Sequence, residues 1–186
     1  MTLRDLLGDT ITRLDAAGIS YMVTGSLASS FYGEPRATRD IDMVIDPTRR
    51  GLGHLVDGLE ADEIYVDRHA AFEALRDRTQ FNAVAGADKV DLIIRRDRPF
   101  SKAEFNRRCP AELLGTRGFI PTVEDLIIAK LEWATVSGSD LQLRDVVGMI
   151  DVAGGDLDRT YIERWVGELG LSDAWRRVAG ENSRAR

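Results

Sequence analysis

Apolar residues recur at helical spacing near both ends of the chain and alternate with polar residues in its middle. The first stripe predicts a helix over residues 3–14, and Gly18 stands where that helix would end. The alternation in the middle is typical of half-buried strands. Strands are predicted at residues 21–24, 39–46, 81–84 and 90–94, and helices at residues 27–31, 48–59 and 69–79.

After Pro121 the pattern becomes helical. Thr122 and Asp125 have the spacing of a capping box, with Asp in place of the usual Glu or Gln. Further helical stripes follow the Ser-Gly-Ser break at 137–139 and the Gly154-Gly155 pair. The pattern therefore predicts an α/β (α+β) core over residues 1–119 and a helical C-terminal portion over 120–186. Because no Pro/Ser-rich linker separates them, we expect the two portions to pack as one unit.

Composition agrees with an ordinary globular protein of this size. The 186 residues include 31 acidic and 25 basic side chains, a net charge of −6, and 44% hydrophobic residues. No apolar run approaches the roughly 18 residues of a membrane span, and the N-terminal segment alternates charge with leucine, unlike a secretory signal. We therefore expect a cytoplasmic protein without a membrane partner. The acidic balance also disfavours indiscriminate binding of nucleic acid.

Several chemistries are disfavoured by the residues that are scarce. A single cysteine, Cys109, excludes an internal disulfide framework and a cysteine-rich zinc site. The two histidines leave little room for histidine-based catalysis. The sequence also lacks the Walker-type phosphate loop, the G-x-G-x-x-G dinucleotide turn and the G-x-S-x-G nucleophile elbow. Any catalytic chemistry is thus expected to depend on carboxylates.

The strongest chemical signal is the pair Asp40 and Asp42, separated only by Ile41. Two residues at i and i+2 of a strand project from one face, about 7 Å apart along the chain. Converging carboxylates of this kind suit Mg²⁺ or Mn²⁺. The alternative is a solvated strand face or a helix N-cap. The chain contains the same spacing at Asp156-Leu157-Asp158, where a cap explains it better.

Two further features strengthen the metal hypothesis. Gly25-Ser26 falls between a predicted strand and a predicted helix, where backbone amides and a serine hydroxyl can bind a phosphate. Asp91, between the apolar residues Val90 and Leu92, supplies a third carboxylate on a later strand.

Together these features resemble the nucleotidyltransferase superfamily, which has the polymerase-beta-like fold. The three parts of its pattern are Val23-Thr24-Gly25-Ser26, Asp40-Ile41-Asp42-Met43 and Val90-Asp91-Leu92. The chain is similar in particular to the AbiEii/MenT-type toxin nucleotidyltransferases and their uncharacterised relatives. That closer similarity adds Leu27, Ala28, Gly33, Arg36 and Thr38, residues 125–131, and the pair Arg144-Asp145. The resemblance covers roughly residues 20–150.

The resemblance implies a mixed-sheet core and an enzyme that moves a nucleotide from a nucleoside triphosphate (NTP) to a hydroxyl or phosphate acceptor. The β and γ phosphates would lie against Gly25 and Ser26. Asp40, Asp42 and Asp91 would be the catalytic residues and would hold two Mg²⁺ (or Mn²⁺) ions. Attack on the α-phosphorus would then expel pyrophosphate, and no histidine or cysteine is needed.

Two basic residues are further candidates for nucleotide binding. Lys130 follows the apolar stripe of its helix, and the resemblance includes a lysine there. The alternative is a lysine whose stem is buried and whose ammonium reaches water. Arg36 is expected to contact phosphate or base, or else to be an ordinary loop arginine. Asp145 is a weaker candidate.

The acceptor is the least determined part of the prediction. Residues 95–108 carry six basic side chains against two acidic ones, which suits a polyanionic acceptor but also a solvated loop. The resemblance implies tRNA in a toxin–antitoxin setting, with a cognate antitoxin as partner. A small molecule or a protein side chain stays open as acceptor. The hypothesis from a different class is a catalytically silent domain that binds a nucleotide or a partner.

Overall fold

A computed structural model describes residues 2–62 and 64–182. Its strands are β1 (Ser20–Thr24), β2 (Asp40–Asp46), β3 (Tyr65–Val66), β4 (Gln80–Ala85), β5 (Asp88–Ile94), β6 (Cys109–Leu113) and β7 (Thr116–Ile120). Its α-helices are α1 (Leu3–Ala16), α2 (Gly25–Tyr32), α3 (Arg49–Ala61), α4 (Arg68–Asp77), α5 (Pro99–Arg107), α6 (Val123–Ser137), α7 (Asp140–Ala153), α8 (Arg159–Glu168) and α9 (Ser172–Asn182). A short 3₁₀ helix covers Gly154–Asp156.

The chain forms two compact units. Unit 1 comprises Met1–Leu27 and Ala37–Ile120, and unit 2 comprises Ala28–Arg36 and Pro121–Arg186. Helix α2 begins in the first range and ends in the second. A segment from the N-terminal half of the sequence therefore belongs to the mainly C-terminal unit.

Unit 1 is built around a mixed five-stranded sheet in the order β1-β2-β5-β4-β3. Strands β2 and β5 are parallel, and the other pairs are antiparallel. Alternation along β2 places Ile41, Met43 and Ile45 on a face where each is fully buried. The predicted mixed α/β fold is confirmed, because the parallel pair needs the long connection that α3, β3, α4 and β4 supply.

The rest of unit 1 follows local signals. Thr2 and Asp5 form a capping box at the start of α1, and the side chain of Asp67 caps α4. Between β4 and β5 the chain turns at Gly86, whose φ is +64°. The sequence pattern missed the hairpin of β6 and β7 and helix α5, because their few apolar residues are interspersed with charges and prolines. Phe100 and Phe105 nevertheless bury α5 against the unit.

In unit 2, helix α6 packs against α7, α8 and α9. This central position explains why Leu126, Ile127, Ile128 and Leu131 are buried on several sides of one helix. The side chain of Thr122 accepts a hydrogen bond from the Asp125 amide, as the capping pattern predicts. None of the helices in the described part of the chain has the length and apolar character of a membrane-spanning helix.

Candidate functional site

Four charged residues of unit 1 lie together on one face of the sheet. In the parallel ladder of β2 and β5, Asp42 is the register partner of Asp91, and Asp40 is that of Lys89. Register partners on adjacent strands project to the same face, about 4.8 Å apart, and residues two apart on a strand share that face. The four side chains therefore form a two-by-two patch of three carboxylates and one ammonium, here called the carboxylate patch.

The side chains of the carboxylate patch differ in their exposure to solvent. On the reverse face, Ile41 and Val90 are fully buried. Within the patch, the side chain of Asp91 is 11% exposed, whereas those of Lys89 and Asp40 are 37% and 52% exposed. Asp91 is thus the most buried of these three residues, and Lys89 and Asp40 lie nearer to solvent.

Lys89 was not singled out by the sequence pattern. Its ammonium donates a hydrogen bond to Asp91 Oδ2 at 2.9 Å and lies 4.0 Å from Asp40 Oδ1. The hydrogen bond that Lys89 donates to Asp91 raises the pKa of Lys89 above its ordinary value. The charges of Asp91, Asp40 and Asp42 act in the same direction, against partial desolvation. The signal was present, since Lys89 is two residues from Asp91 and so shares its face.

The carboxylate patch suits a hard divalent cation. Asp91 Oδ1 is buried and has no hydrogen-bond partner among the described residues. A carboxylate oxygen removed from water without a partner favours a bound cation. Within the described residues, no three Asp, Glu, His or Cys side chains already surround one point as metal ligands would, and the Lys89 ammonium lies among the carboxylates. The donor set of carboxylate oxygens is the one preferred by Mg²⁺ and Mn²⁺.

Gly25 is fixed beside the carboxylate patch by the end of β1, where Thr24 is the register partner of Asp42. Its φ is +61°, and a Cβ atom at this position would overlap the carboxylate of Asp42. Only glycine fits both conditions. Helix α2 starts at Gly25, and Ser26 lies in its first turn. The amides of a helix N-terminus, which favour anions, thus adjoin the carboxylates.

Arg36 and Lys130, the two predicted nucleotide-binding cations, lie together in unit 2. The Lys130 side chain is 5% exposed, and its ammonium donates hydrogen bonds to Asp145 Oδ2 at 2.7 Å and to Gln142 at 2.9 Å. Arg36 Nε lies 3.5 Å from Asp145 Oδ1, and the Ser29 hydroxyl donates to Asp145 Oδ2. The weaker candidate, Asp145, is thus the centre of this network, here called the Asp145 cluster.

Several cations of the basic segment 95–108 have partners within unit 1. Arg95 pairs with Asp46 at 3.0 Å, and Lys102 pairs with Asp97. Arg108 stacks over the ring of Phe105. Helix α5 carries the middle of the segment, and these three cations contact other side chains of unit 1.

Sequence comparisons do not place the chain in a family. No protein-family model matches the sequence. No curated protein matches it either.

Solved structures with a similar fold are known. The antibiotic-resistance factor ANT(2'')-Ia, studied in solution, superposes with a TM-score of 0.60 at 16% identity, covering 98% of this chain and 96% of that one. The crystal structure of ANT(2'')-Ia with adenylyl-2''-tobramycin gives 0.58 at 16% identity, covering 98% of both chains. An antigenic nucleotidyltransferase-like protein from Paracoccidioides brasiliensis gives 0.52 at 16% identity, covering 92% of this chain and 91% of that one. The chain therefore has a nucleotidyltransferase fold.

Proposed function

We propose that this protein is a metal-dependent nucleotidyltransferase that moves a nucleotide from an NTP to a hydroxyl or phosphate acceptor. One observation carries the proposal. Asp42 and Asp91 are register partners on one sheet face, next to a glycine whose missing side chain leaves room for the Asp42 carboxylate. Carboxylate oxygens suit a divalent cation and the amides of a helix start suit a phosphate, so their proximity in unit 1 supports the proposal.

Each residue of unit 1 has a distinct part in the proposed reaction. The amides at the start of α2 and the Ser26 hydroxyl bind the β and γ phosphates, and Gly25 allows their close approach. Asp40, Asp42 and Asp91 hold the divalent cations, with Asp91 Oδ1 available as a ligand. Bound Mg²⁺ or Mn²⁺ would neutralise charge on the triphosphate and lower the pKa of the attacking hydroxyl. Positioning by these side chains then supplies much of the rate.

Arg36 and Lys130 are proposed to assist nucleotide binding through the Asp145 cluster. Both side chains carry a positive charge, which suits a phosphate group. The Arg36 side chain, 32% exposed, is the more accessible of the two.

We propose a small molecule bearing hydroxyl groups as the acceptor. The support is the end-to-end similarity to ANT(2'')-Ia, whose crystal structure contains adenylyl-2''-tobramycin. The tRNA acceptor and the toxin–antitoxin role receive less support, because Arg95 and Lys102 of the basic segment are already paired with carboxylates. A cognate antitoxin stays a prediction from the sequence resemblance.

The proposal is tested by transfer of α-labelled NTPs in Mg²⁺. The acceptors are aminoglycosides, total tRNA and a protein extract, each with wild type and Asp42→Asn. The proposal is supported if an aminoglycoside is labelled by wild type and not by the variant. Labelling of tRNA alone would instead favour the tRNA acceptor implied by the sequence resemblance. If no acceptor is labelled while NTP still binds, the chain is instead a silent nucleotide-binding domain.

A further inference from the structure

The carboxylate patch contains its own cation. Three carboxylates and the Lys89 ammonium leave a surplus of two negative charges on one face of the sheet. Lys89 occupies the fourth corner, within 2.9 Å of Asp91 and 4.0 Å of Asp40. An ordinary surface lysine has one carboxylate neighbour or none, whereas this one faces all the carboxylates of the candidate site.

The two oxygens of Asp91 are in different situations. Oδ2 accepts the hydrogen bond from Lys89, and Oδ1 is buried without a partner among the described residues. A divalent cation bound at Oδ1 would therefore lie within a few ångströms of the positive ammonium of Lys89. At that distance the two positive charges repel each other strongly. The cation can bind both oxygens of Asp91 only when Lys89 no longer donates its hydrogen bond to Oδ2.

We infer that Lys89 is a built-in counter-cation that competes with the divalent metal for Asp91 and Asp40 and thereby sets the metal affinity of the site. The inference rests on the proposed function, because the metal that competes with Lys89 is the one that the proposed nucleotidyl transfer requires. Lys89 is a positioning residue in this role, since it acts through the carboxylates. Without metal it holds Asp91 in place, and with metal bound its ammonium would leave both carboxylates for solvent.

The competition has a distinctive consequence. Replacing an ordinary supporting residue weakens a metal site, because its ligands lose their orientation. Replacing Lys89 by methionine removes a positive charge beside the carboxylates at nearly constant side-chain length. Metal binding should then become tighter, by about tenfold or more, because a unit charge a few ångströms away changes the binding of a divalent ion by at least that factor.

The experiment measures Mn²⁺ binding to the nucleotide-free full chain by calorimetry and by electron paramagnetic resonance. The variants are Lys89→Met, Lys89→Arg, which keeps the charge, and the control Lys102→Met. Lys102 is also a lysine of unit 1 hydrogen-bonded to an aspartate, Asp97, and it is outside the carboxylate patch. We expect tighter Mn²⁺ binding in Lys89→Met alone. Lys89→Gln replaces the methionine variant if circular dichroism shows that the latter does not fold.

A second readout concerns the protein without metal. In EDTA the midpoint of thermal unfolding should fall in Lys89→Met, because Asp91 loses its hydrogen-bond partner, and Mn²⁺ should restore it. Equal or weaker Mn²⁺ binding in Lys89→Met, or no binding in any of these proteins, would overturn the inference. Failure of the proposed function is recognised separately: wild type would bind Mn²⁺ as expected and yet label no acceptor.

Discussion

Each unit contains a lysine hydrogen-bonded to an aspartate, and the two pairs differ in burial and in charge balance. In unit 1, the Lys89 side chain is 37% exposed and faces three carboxylates. In unit 2, Lys130 is 5% exposed and shares the carboxylate of Asp145 with Arg36. In the first group one lysine near solvent faces three carboxylates, and in the second one aspartate is paired with two cations, of which Lys130 is buried.

The difference indicates which group can exchange partners. Breaking a buried ion pair is costly, because the remaining charge has no water to solvate it. The Asp145 cluster therefore stabilises unit 2 in one arrangement. Lys89, by contrast, is partly exposed and can leave Asp91 for solvent at small cost, as the proposed exchange with a metal ion requires.

The largest effect is expected from Asp145→Ala, which leaves the Lys130 ammonium buried without its carboxylate. The free energy of unfolding should fall by about 3–5 kcal/mol, measured by urea denaturation. Asp140→Ala is the matched control, since Asp140 is an exposed partner of Arg177 in the same unit, and its removal should cost under about 1 kcal/mol. Similar losses in the two variants would contradict the assigned difference in burial.

Gly25→Ala should combine a moderate loss of stability with a large loss of transfer. The positive φ costs about 1–2 kcal/mol for a residue with a Cβ atom. The added methyl group would also displace the Asp42 carboxylate, so nucleotidyl transfer should fall about a hundredfold.

Gly86→Ala is the control for this variant. Gly86 has a similar φ of +64°, but a Cβ atom there has no neighbour within 4 Å. It should show the same loss of stability, measured by thermal unfolding, with unchanged transfer. Equal transfer in the two alanine variants would contradict the role assigned to Gly25 beside Asp42.

The smallest effect is expected from Tyr21→Phe, on the face of the sheet opposite the carboxylate patch. It concerns stability and is absent at neutral pH. Tyr21 is the register partner of Ile45 there, and burial, with a contribution from Asp15, raises the pKa of Tyr21 from about 10 to about 12. The folded state therefore retains a proton that the unfolded state loses above pH 10, so stability declines between pH 10 and 12. Denaturation across this range should show a steeper decline in wild type than in Tyr21→Phe. An equal decline of stability with pH in the two proteins would contradict the burial of the Tyr21 hydroxyl.

Much of the sheet could be predicted from the sequence, because alternation of apolar and polar residues encodes which face is buried. Asp40 and Asp42 were assigned to one face for this reason, and the register of β2 and β5 shows that Asp91 lies on that face as well. The competing Asp156-Leu157-Asp158 motif was read as a cap, and Asp158 does cap α8.

The remainder depends on contacts between distant parts of the sequence. The alternation relates Lys89 to Asp91, but only the parallel register places it beside Asp40. The Asp145 cluster joins residues of α2, α6 and α7, which no local pattern relates. The hairpin of β6 and β7 was missed because Pro110 and the short, partly polar strands obscure the alternation.

The most direct test of the account is the position of Mn²⁺ in a crystal of the full chain soaked in MnCl₂, determined by anomalous scattering. We predict an anomalous peak bound by Asp42 and Asp91, with the Lys89 ammonium moved away from Asp91 Oδ2. A peak coordinated by other carboxylates, with Asp42 and Asp91 free of metal, would contradict the assignment of the carboxylate patch as the site of chemistry.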